Sequence, residues 1–123
     1  MTSYIVDTNA WIAYFEEFEA FKAPIEKNPL KTPAFVLAEF VKIMRQKGIA
    51  ERKIDEAIEI ILNRSVILPL DAEHALSAAK LAAREKLHLA DAIIYSYASA
   101  DEPVLTGDAD FDGKPLARVI KKS

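Results

Sequence analysis

Short apolar runs alternate with amphipathic stretches along this chain, and no hairpin turn joins one apolar run to the next. The runs at residues 4–6, 66–70 and 104–105 predict strands, and residues 118–120 predict a last strand before a basic tail. Parallel strands need a crossover connection, which is usually a helix. The pattern therefore predicts an α/β fold, a three-layer α/β/α sandwich with a central parallel sheet of four or five strands.

The stretches between these runs have apolar residues every three or four positions, which is the helical period. They predict helices at residues 11–25, 34–47, 51–63 and 87–100, and a further alanine-rich helix capped by Asp71. The face of that fifth helix, residues 72–83, indicates close packing against a neighbour. Residues 28–33 predict a break, with Thr32 as the N-cap and Pro33 as the first residue of the following helix.

Length and composition limit the kinds of protein that this can be. A chain of 123 residues with no linker or repeat predicts a single domain, residues 1–123. It has no Cys and only two His, so any metal would be held by oxygen ligands, as Mg²⁺ or Mn²⁺ prefer. The net charge of -3 argues against a generic basic nucleic-acid binder. No signal sequence or membrane span is visible, so we expect a cytoplasmic protein without membrane contact.

Asp7 directly follows the first predicted strand, where a small polar segment begins. A carboxylate at the end of a buried strand is costly, and ligands bind in open α/β sheets at the carboxyl ends of the strands. Asp7 is therefore placed for chemistry if such a sheet exists. The alternative is that Asp7, Thr8 or Asn9 only caps the following helix.

Three other places in the sequence hold acids in unusual surroundings. Glu39 and Asp91 have mostly apolar neighbours at helical spacing, and Asp108 and Asp110 follow a predicted strand in a glycine-containing turn. Simpler interpretations exist for each. Glu39 can form an edge pair with Lys42, Asp91 can be a helix N-cap, and aspartates are common in turns for conformational reasons.

In a parallel sandwich these acids can converge at one end of the sheet. Two carboxylates about 4 Å apart repel by about 4 kcal/mol at an effective dielectric near 20, so such a cluster must bind protons or a divalent cation. A cation held there suits phosphodiester hydrolysis, because it polarises the phosphoryl oxygen and generates hydroxide. Thr8 and Thr106 can add hydroxyl hydrogen bonds. The sequence contains no Walker loop, GxGxxG or Ser-His-Asp order that would favour another chemistry.

Four segments together carry a family resemblance: Asp7-Thr8-Asn9, Leu37-Ala38-Glu39, Leu89-Ala90-Asp91-Ala92, and Leu105 to Phe111. In this order, over nearly the whole chain, they resemble the PIN-domain nucleases, and especially the VapC-like toxins of toxin-antitoxin pairs. The resemblance implies a Mg²⁺- or Mn²⁺-dependent endoribonuclease. It also implies that Asp7, Glu39, Asp91 and Asp108 are the catalytic, metal-binding acids and that Thr106 supports them. Asp110 competes with Asp108 for the fourth role.

The resemblance further implies a homodimer and a small antitoxin protein that lies across an apolar groove. The aromatic segment from Trp11 to Phe21 is the candidate for that groove, and Phe18 is the residue in it that we expect antitoxin binding to require. Candidates for contacts with RNA are scattered bases, for which a solvated role is the alternative: Lys42, Arg45, Lys47, Lys80 and Arg84. Two other functions stay open. One is a non-catalytic RNA-binding or assembly module with a vestigial acidic site, and the other is an RNA-processing nuclease with no antitoxin.

Overall fold

The computed structural model describes residues 2–121, so the end of the predicted basic tail lies outside the described residues. Strands and helices alternate along the chain. The strands are β1 (Tyr4–Val6), β2 (Leu30–Pro33), β3 (Val66–Leu68), β4 (Val104–Thr106) and β5 (Ala117–Val119). The α-helices are α1 (Thr8–Phe15), α2 (Lys22–Glu26), α3 (Ala34–Gln46), α4 (Glu51–Arg64), α5 (Ala72–Glu85) and α6 (Leu89–Tyr95). Two short 3₁₀ helices lie at Glu19–Phe21 and Ala109–Phe111.

The five strands form one parallel sheet in the order β3-β2-β1-β4-β5, and helices flank it. This confirms the predicted α/β/α sandwich. The chain moves outward from β1 to β2 and β3, and then returns to the other side of β1 for β4 and β5. The strand order therefore changes direction between β1 and β4, and such a switch point is where open α/β sheets bind their ligands. Val6 pairs with Leu105 at this point, so the residues that follow them, Asp7 and Thr106, lie side by side at the carboxyl ends of β1 and β4.

The first predicted helix, residues 11–25, is wrong in its length. Helix α1 ends at Phe15, and Glu17 adopts a left-handed backbone with φ of 66°. The backbone N–H of Phe18 donates to the carbonyl of Ala13, which closes the turn before the 3₁₀ helix and α2. The apolar pattern continues across the break because both segments pack on the core, in which Phe21 is fully buried.

Residues 28–33 also differ from the prediction, since most of this segment is a central strand. Strand β2 pairs with β1 on one side and with β3 on the other. Thr32 lies within this strand and is fully buried; its hydroxyl oxygen accepts a hydrogen bond from Trp11 Nε1 at 3.1 Å. The predicted capping role of Thr32 is therefore wrong, and Pro33 occupies the N-cap position of α3.

Helices α3, α4 and α5 and strands β3, β4 and β5 lie close to their predicted bounds. Asp71 caps α5 by accepting the His74 N–H at 2.8 Å. The predicted alanine face of α5 is mostly exposed, however, because the helix turns Ala78 rather than Leu76 toward the core. Helix α6 is shorter than residues 87–100, since it begins after its N-cap His88 and ends at Tyr95. None of the described helices has the length and hydropathy needed to cross a membrane.

Candidate metal centre at the switch point of the sheet

Asp7 lies at the carboxyl end of β1 and is buried, with 4% of its surface exposed. Its Oδ1 accepts the Thr8 N–H at 2.7 Å, and its Oδ2 accepts the Thr106 hydroxyl at 2.7 Å. Asp7 is therefore the N-cap of α1, as the simpler interpretation proposed. Because its second oxygen faces the neighbouring strand, the capping role does not remove it from the candidate site.

The surroundings of Asp7 oppose its negative charge. Burial raises the pKa of Asp7 from 3.8 to about 7, against the hydrogen bonds from Thr106 and Thr8, which lower it. The carboxylates of Asp91 and Glu39 raise the pKa further by repulsion. The surroundings therefore favour the protonated form of Asp7 more than water does, and a cation brought near it would displace the proton.

The hydroxyl of Thr106 connects three parts of the site. It lies 2.7 Å from Asp7 Oδ2 and 3.0 Å from Asn9 Oδ1, so its single proton has two possible acceptors, and it accepts the Asp108 N–H at 3.0 Å. Asn9 Oδ1 also accepts the Gly107 N–H at 2.9 Å. Asn9 thus joins the start of α1 to the turn after β4, a role that the sequence had not indicated beyond a possible cap. A small polar residue two positions after Asp7 was the only signal for it.

Glu39 reaches the site from the second turn of α3. Its Oε1 accepts the Thr8 hydroxyl at 2.7 Å, so Thr8 links this acid to the start of α1. The edge pair with Lys42 is not formed, since Lys42 makes no ion pair within residues 2–121. Both threonines that were predicted to support the acids therefore hydrogen-bond to one: Thr8 to Glu39 and Thr106 to Asp7.

Asp91, Asp108 and Asp110 form the closest group of acids. One carboxylate oxygen from each lies within 4.8 Å of the other two. Asp91 is in the first turn of α6, and His88 is the N-cap of that helix, so the capping interpretation of Asp91 is wrong. Asp108 caps the following 3₁₀ helix by accepting the Asp110 N–H at 2.9 Å.

The charge of Asp91 is also disfavoured. Burial is the main cause, followed by repulsion from Asp108, Asp110 and Glu39, and together these raise the pKa of Asp91 to about 6. His88 opposes the shift; its exposed ring lies 4.0 Å from Asp110 Oδ2. Electrostatic coupling therefore extends from Asp108 and Asp110 through Asp91 to Asp7, and the five acids behave as one cluster.

The donor set of this cluster fits a hard divalent cation. Carboxylate oxygens supply the candidate ligands, and oxygen ligands are what Mg²⁺ and Mn²⁺ take in proteins. The raised pKa values of Asp7 and Asp91 show that the cluster carries more negative charge than its partly buried position favours. A bound cation would offset that charge, so Asp91, Asp108 and Asp110 can hold one, with Asp7 and Glu39 beside it.

The family of the chain follows from its sequence. Residues 4–115 match the model of the PIN domain, and since this is most of the 123 residues, the chain belongs to the PIN-domain family. The segments that carried the resemblance therefore lie within the matched region. No curated protein matches the sequence significantly.

Three solved structures are similar over almost the full length. They are a toxin-antitoxin complex from Klebsiella pneumoniae (TM-score 0.75, 21% identity, 98% of each chain covered), VapBC2 from Rickettsia felis bound to a promoter DNA fragment (TM-score 0.74, 17% identity, 98% of each chain), and DNA-bound VapBC from Salmonella typhimurium (TM-score 0.73, 19% identity, 100% of each chain). At these identities the likeness is one of fold.

Proposed function

We propose that residues 1–123 form one PIN-like domain, that it is a Mg²⁺- or Mn²⁺-dependent endoribonuclease, and that it is the toxin of a toxin-antitoxin pair. The observation that carries the proposal is the gathering of five acids at the switch point of the sheet: Asp7, Glu39, Asp91, Asp108 and Asp110. Each of them is electrostatically coupled to Asp91 or to Asp7. Membership of the PIN-domain family supports the nuclease activity. We also propose that it acts in the cytoplasm.

In this proposal each acid has a physical task. Asp91, Asp108 and Asp110 hold the cation, and Asp7 and Glu39 complete the acidic wall beside it. When bound, the cation polarises the phosphoryl oxygen and lowers the pKa of a water molecule.

The chain's own groups orient the acids. Thr106 fixes Asp7 Oδ2, and Thr8 fixes Glu39 Oε1. Asp91 is half-buried and is repelled by Asp108, Asp110 and Glu39, and a bound cation would offset this repulsion and keep its carboxylate ionised.

An apolar groove between α1, α3 and α4 supports the antitoxin partner. It has a volume of about 380 Å³, and its apolar lining comprises Ile12, Phe15, Phe40, Met44, Ile49, Ile54, Ala57 and Ile60. An amphipathic helix binds such a groove through its apolar face. From the segment between Trp11 and Phe21, the apolar side chains in this lining are those of Ile12 and Phe15. Trp11 and Phe21 are fully buried, and Phe18 is not part of the lining.

The proposed homodimer has a separate candidate surface. Leu76 on α5 is 69% exposed and Leu89 at the start of α6 is 57% exposed. Helices α5 and α6 pack against each other, and we propose that these two leucines belong to the surface that a second copy of the chain covers. Sedimentation velocity of the isolated chain measures whether that partner is a second copy.

RNA cleavage by the purified protein tests the activity directly. A mixed-sequence RNA is incubated with Mn²⁺, Mg²⁺ or EDTA, and the wild type is compared with Asp7→Asn and with Asp101→Asn, which removes an exposed acid in the loop before β4. We expect cleavage only with metal. The cleavage rate should fall by at least about 100-fold in Asp7→Asn and should be unchanged in Asp101→Asn.

Three other outcomes would contradict the proposal. If wild-type protein neither binds metal nor cuts RNA, the domain is an interaction module with a vestigial acidic site. If Asp7→Asn cuts as well as the wild type, the activity is a contaminant. If the protein cuts RNA but no small partner is encoded beside its gene, it is a processing nuclease rather than a toxin.

A further inference from the structure

A second cavity lies on the surface of α3, directly beside the acidic cluster. It has a volume of about 300 Å³ and is lined by Phe35, Ala38, Glu39, Lys42, Ile43 and Gln46. Glu39 belongs to both places, since it lines this cavity and its Oε1 accepts the Thr8 hydroxyl within the cluster. A single ligand could therefore occupy the cavity and the acidic cluster at the same time.

Lys42 is the cation that this cavity offers. Of the five bases that the sequence indicated for RNA contacts, Arg45 is paired with Glu51, Lys47 with Glu16 and Arg84 with Glu85. Lys42 and Lys80 form no ion pair in the described part of the chain, and of these two only Lys42 lines the cavity. Because Thr8 holds the Glu39 carboxylate, the ammonium of Lys42 is left available for a ligand's negative charge.

The other side chains of the cavity offer an aromatic surface at one end and a polar amide at the other. Phe35 is partly buried against the core, and within residues 2–121 its ring has no aromatic neighbour to stack on. Gln46 is exposed and brings an amide with both donors and acceptors. Stacking on an aromatic ring, together with hydrogen bonds at the base edge, is how proteins bind unpaired bases.

We infer that the α3 cavity binds one unpaired nucleotide of a single-stranded RNA next to the phosphate that is cut. In this subsite the base stacks on Phe35 and its phosphate pairs with Lys42. Gln46 lies about 16 Å further along α3 than Phe35 and is beyond the reach of that base. The inference rests on the proposed nuclease function and specifies its substrate. A base inside a duplex could not enter the cavity, so single-stranded segments are the substrate class.

Three variants test the subsite with a short single-stranded RNA that has one cleavage site. Phe35→Leu keeps the apolar volume and removes the ring, and Lys42→Ala removes the cation. Lys27→Ala is the control, because it removes an exposed lysine that lies outside the cavity, forms no ion pair in the described part of the chain and is not a candidate for RNA contacts. Single-turnover cleavage with Mn²⁺ gives the half-saturating protein concentration and the maximal rate separately, and fluorescence anisotropy in EDTA gives binding without cleavage. Thermal melts establish that each variant is folded.

We expect Phe35→Leu to raise the half-saturating concentration about 5- to 150-fold, the range for loss of one stacked base, and to leave the maximal rate nearly unchanged. Lys42→Ala should lower the slope of log affinity against log salt by about 0.7, the value for one single-strand phosphate contact. Lys27→Ala should match the wild type. When the bases are replaced one at a time by abasic nucleotides, one position should weaken the wild type and have no effect in Phe35→Leu.

The outcomes separate this inference from the proposed function. If the wild type cuts RNA with metal while Phe35→Leu and Lys42→Ala bind it as the wild type does, the subsite is refuted and the nuclease stands. If duplex RNA is cut as well as single-stranded RNA, the subsite is refuted too. If the wild type neither binds nor cuts RNA, both fail. If the variants instead weaken only the binding of a protein partner, the cavity is part of a protein interface and the inference is wrong.

Discussion

Replacing Asp7 with Asn should stabilise the metal-free protein at alkaline pH and have little effect in acid. The variant removes a buried group whose pKa is about 7 in the folded chain and 3.8 in the reference state. The folded state therefore binds the proton more tightly than the unfolded state does. This contribution to stability is fully present below about pH 4 and is lost as the pH rises to about 7.

The size of the effect follows from the width of that pH window. About three pH units at 1.36 kcal/mol each give a loss of about 4 kcal/mol for the wild type between pH 4 and pH 7. The Asp7→Asn variant has no proton to lose at this position. The variant should therefore be more stable than the wild type by up to about 4 kcal/mol at pH 8.

The hydrogen bonds around Asp7 can accept the change. When Asp7 is protonated at Oδ2, that proton can be donated to the Thr106 hydroxyl oxygen, and the Thr106 proton can turn to Asn9 Oδ1, 3.0 Å away. The side-chain amide of the Asp7→Asn variant can make the same donation, and its carbonyl oxygen can still accept the Thr8 N–H. The variant therefore resembles the protonated wild type, and the two should have equal stability near pH 4.

Urea denaturation in EDTA from pH 4 to pH 8.5, followed by the fluorescence of Trp11, measures this difference. Thermal melts measure the same difference as a shift in Tm. For a chain of this size 1 kcal/mol corresponds to about 4 °C in Tm, so the variant should melt 10 °C or more above the wild type at pH 8. Mn²⁺ at 100 times its Kd for the wild type should then stabilise the wild type by about 2.7 kcal/mol. It should stabilise the variant less, because the variant keeps Asp91, Asp108 and Asp110 but lacks the charge of Asp7 beside them. Parallel stability curves for the two proteins across the pH range would refute the reasoning.

Three other substitutions test other parts of the structure. Thr106→Val should lower the free energy of unfolding by about 1 to 3 kcal/mol, because Asp7 and the Asp108 N–H both lose a buried hydrogen-bond partner. It should also raise the pKa of Asp7 further, whereas Thr106→Ser should behave like the wild type in urea denaturation. Ile61→Ala should cost about 2 to 5 kcal/mol, whereas the same change at its half-exposed neighbour Leu62 should cost far less in the same assay. Ile60→Glu should leave the melting temperature unchanged and abolish antitoxin binding in a pull-down; retained binding would remove the groove from the interface.

The sheet could be predicted because its signals are local. Apolar runs without hairpin turns indicate parallel strands wherever they occur, and four of the five strands were found in this way. Strand β2 was missed because Lys31 interrupts its apolar character and because Pro29 precedes it and Pro33 is its last residue, and prolines are local turn signals. Its extended state is imposed by pairing with β1 and β3 on either side, and no short window of sequence contains that information.

The sequence identified the candidate acids, because their neighbours along the chain are mostly apolar or because they follow a strand. It could not identify the hydrogen-bond partners of these acids. The Thr106 hydroxyl and Asp7 are 99 residues apart, and Thr8 and Glu39 are 31 residues apart. Contacts at that separation depend on the strand order, which brings β4 next to β1 only after the chain has built β2 and β3. The prediction that the alanine face of α5 packs closely against a neighbour was wrong for a similar reason. A helix rich in alanine has small residues on every side, so the sequence pattern does not show which side is buried.

Asp108 and Asp110 can be distinguished by how firmly the fold holds them. The Asp108 N–H donates to the Thr106 hydroxyl, and Asp108 Oδ1 accepts the Asp110 N–H, so both its backbone and its side chain are fixed relative to Asp7. The Asp110 carboxylate is exposed, and its nearest basic group, His88, lies 4.0 Å away. Repulsion from Asp108 also contributes more than repulsion from Asp110 to the raised pKa of Asp91. We therefore propose Asp108 as the fourth acid of the cluster and Asp110 as an outer ligand, because a rigid ligand keeps its position when the cation leaves, whereas an exposed one is free to turn toward solvent.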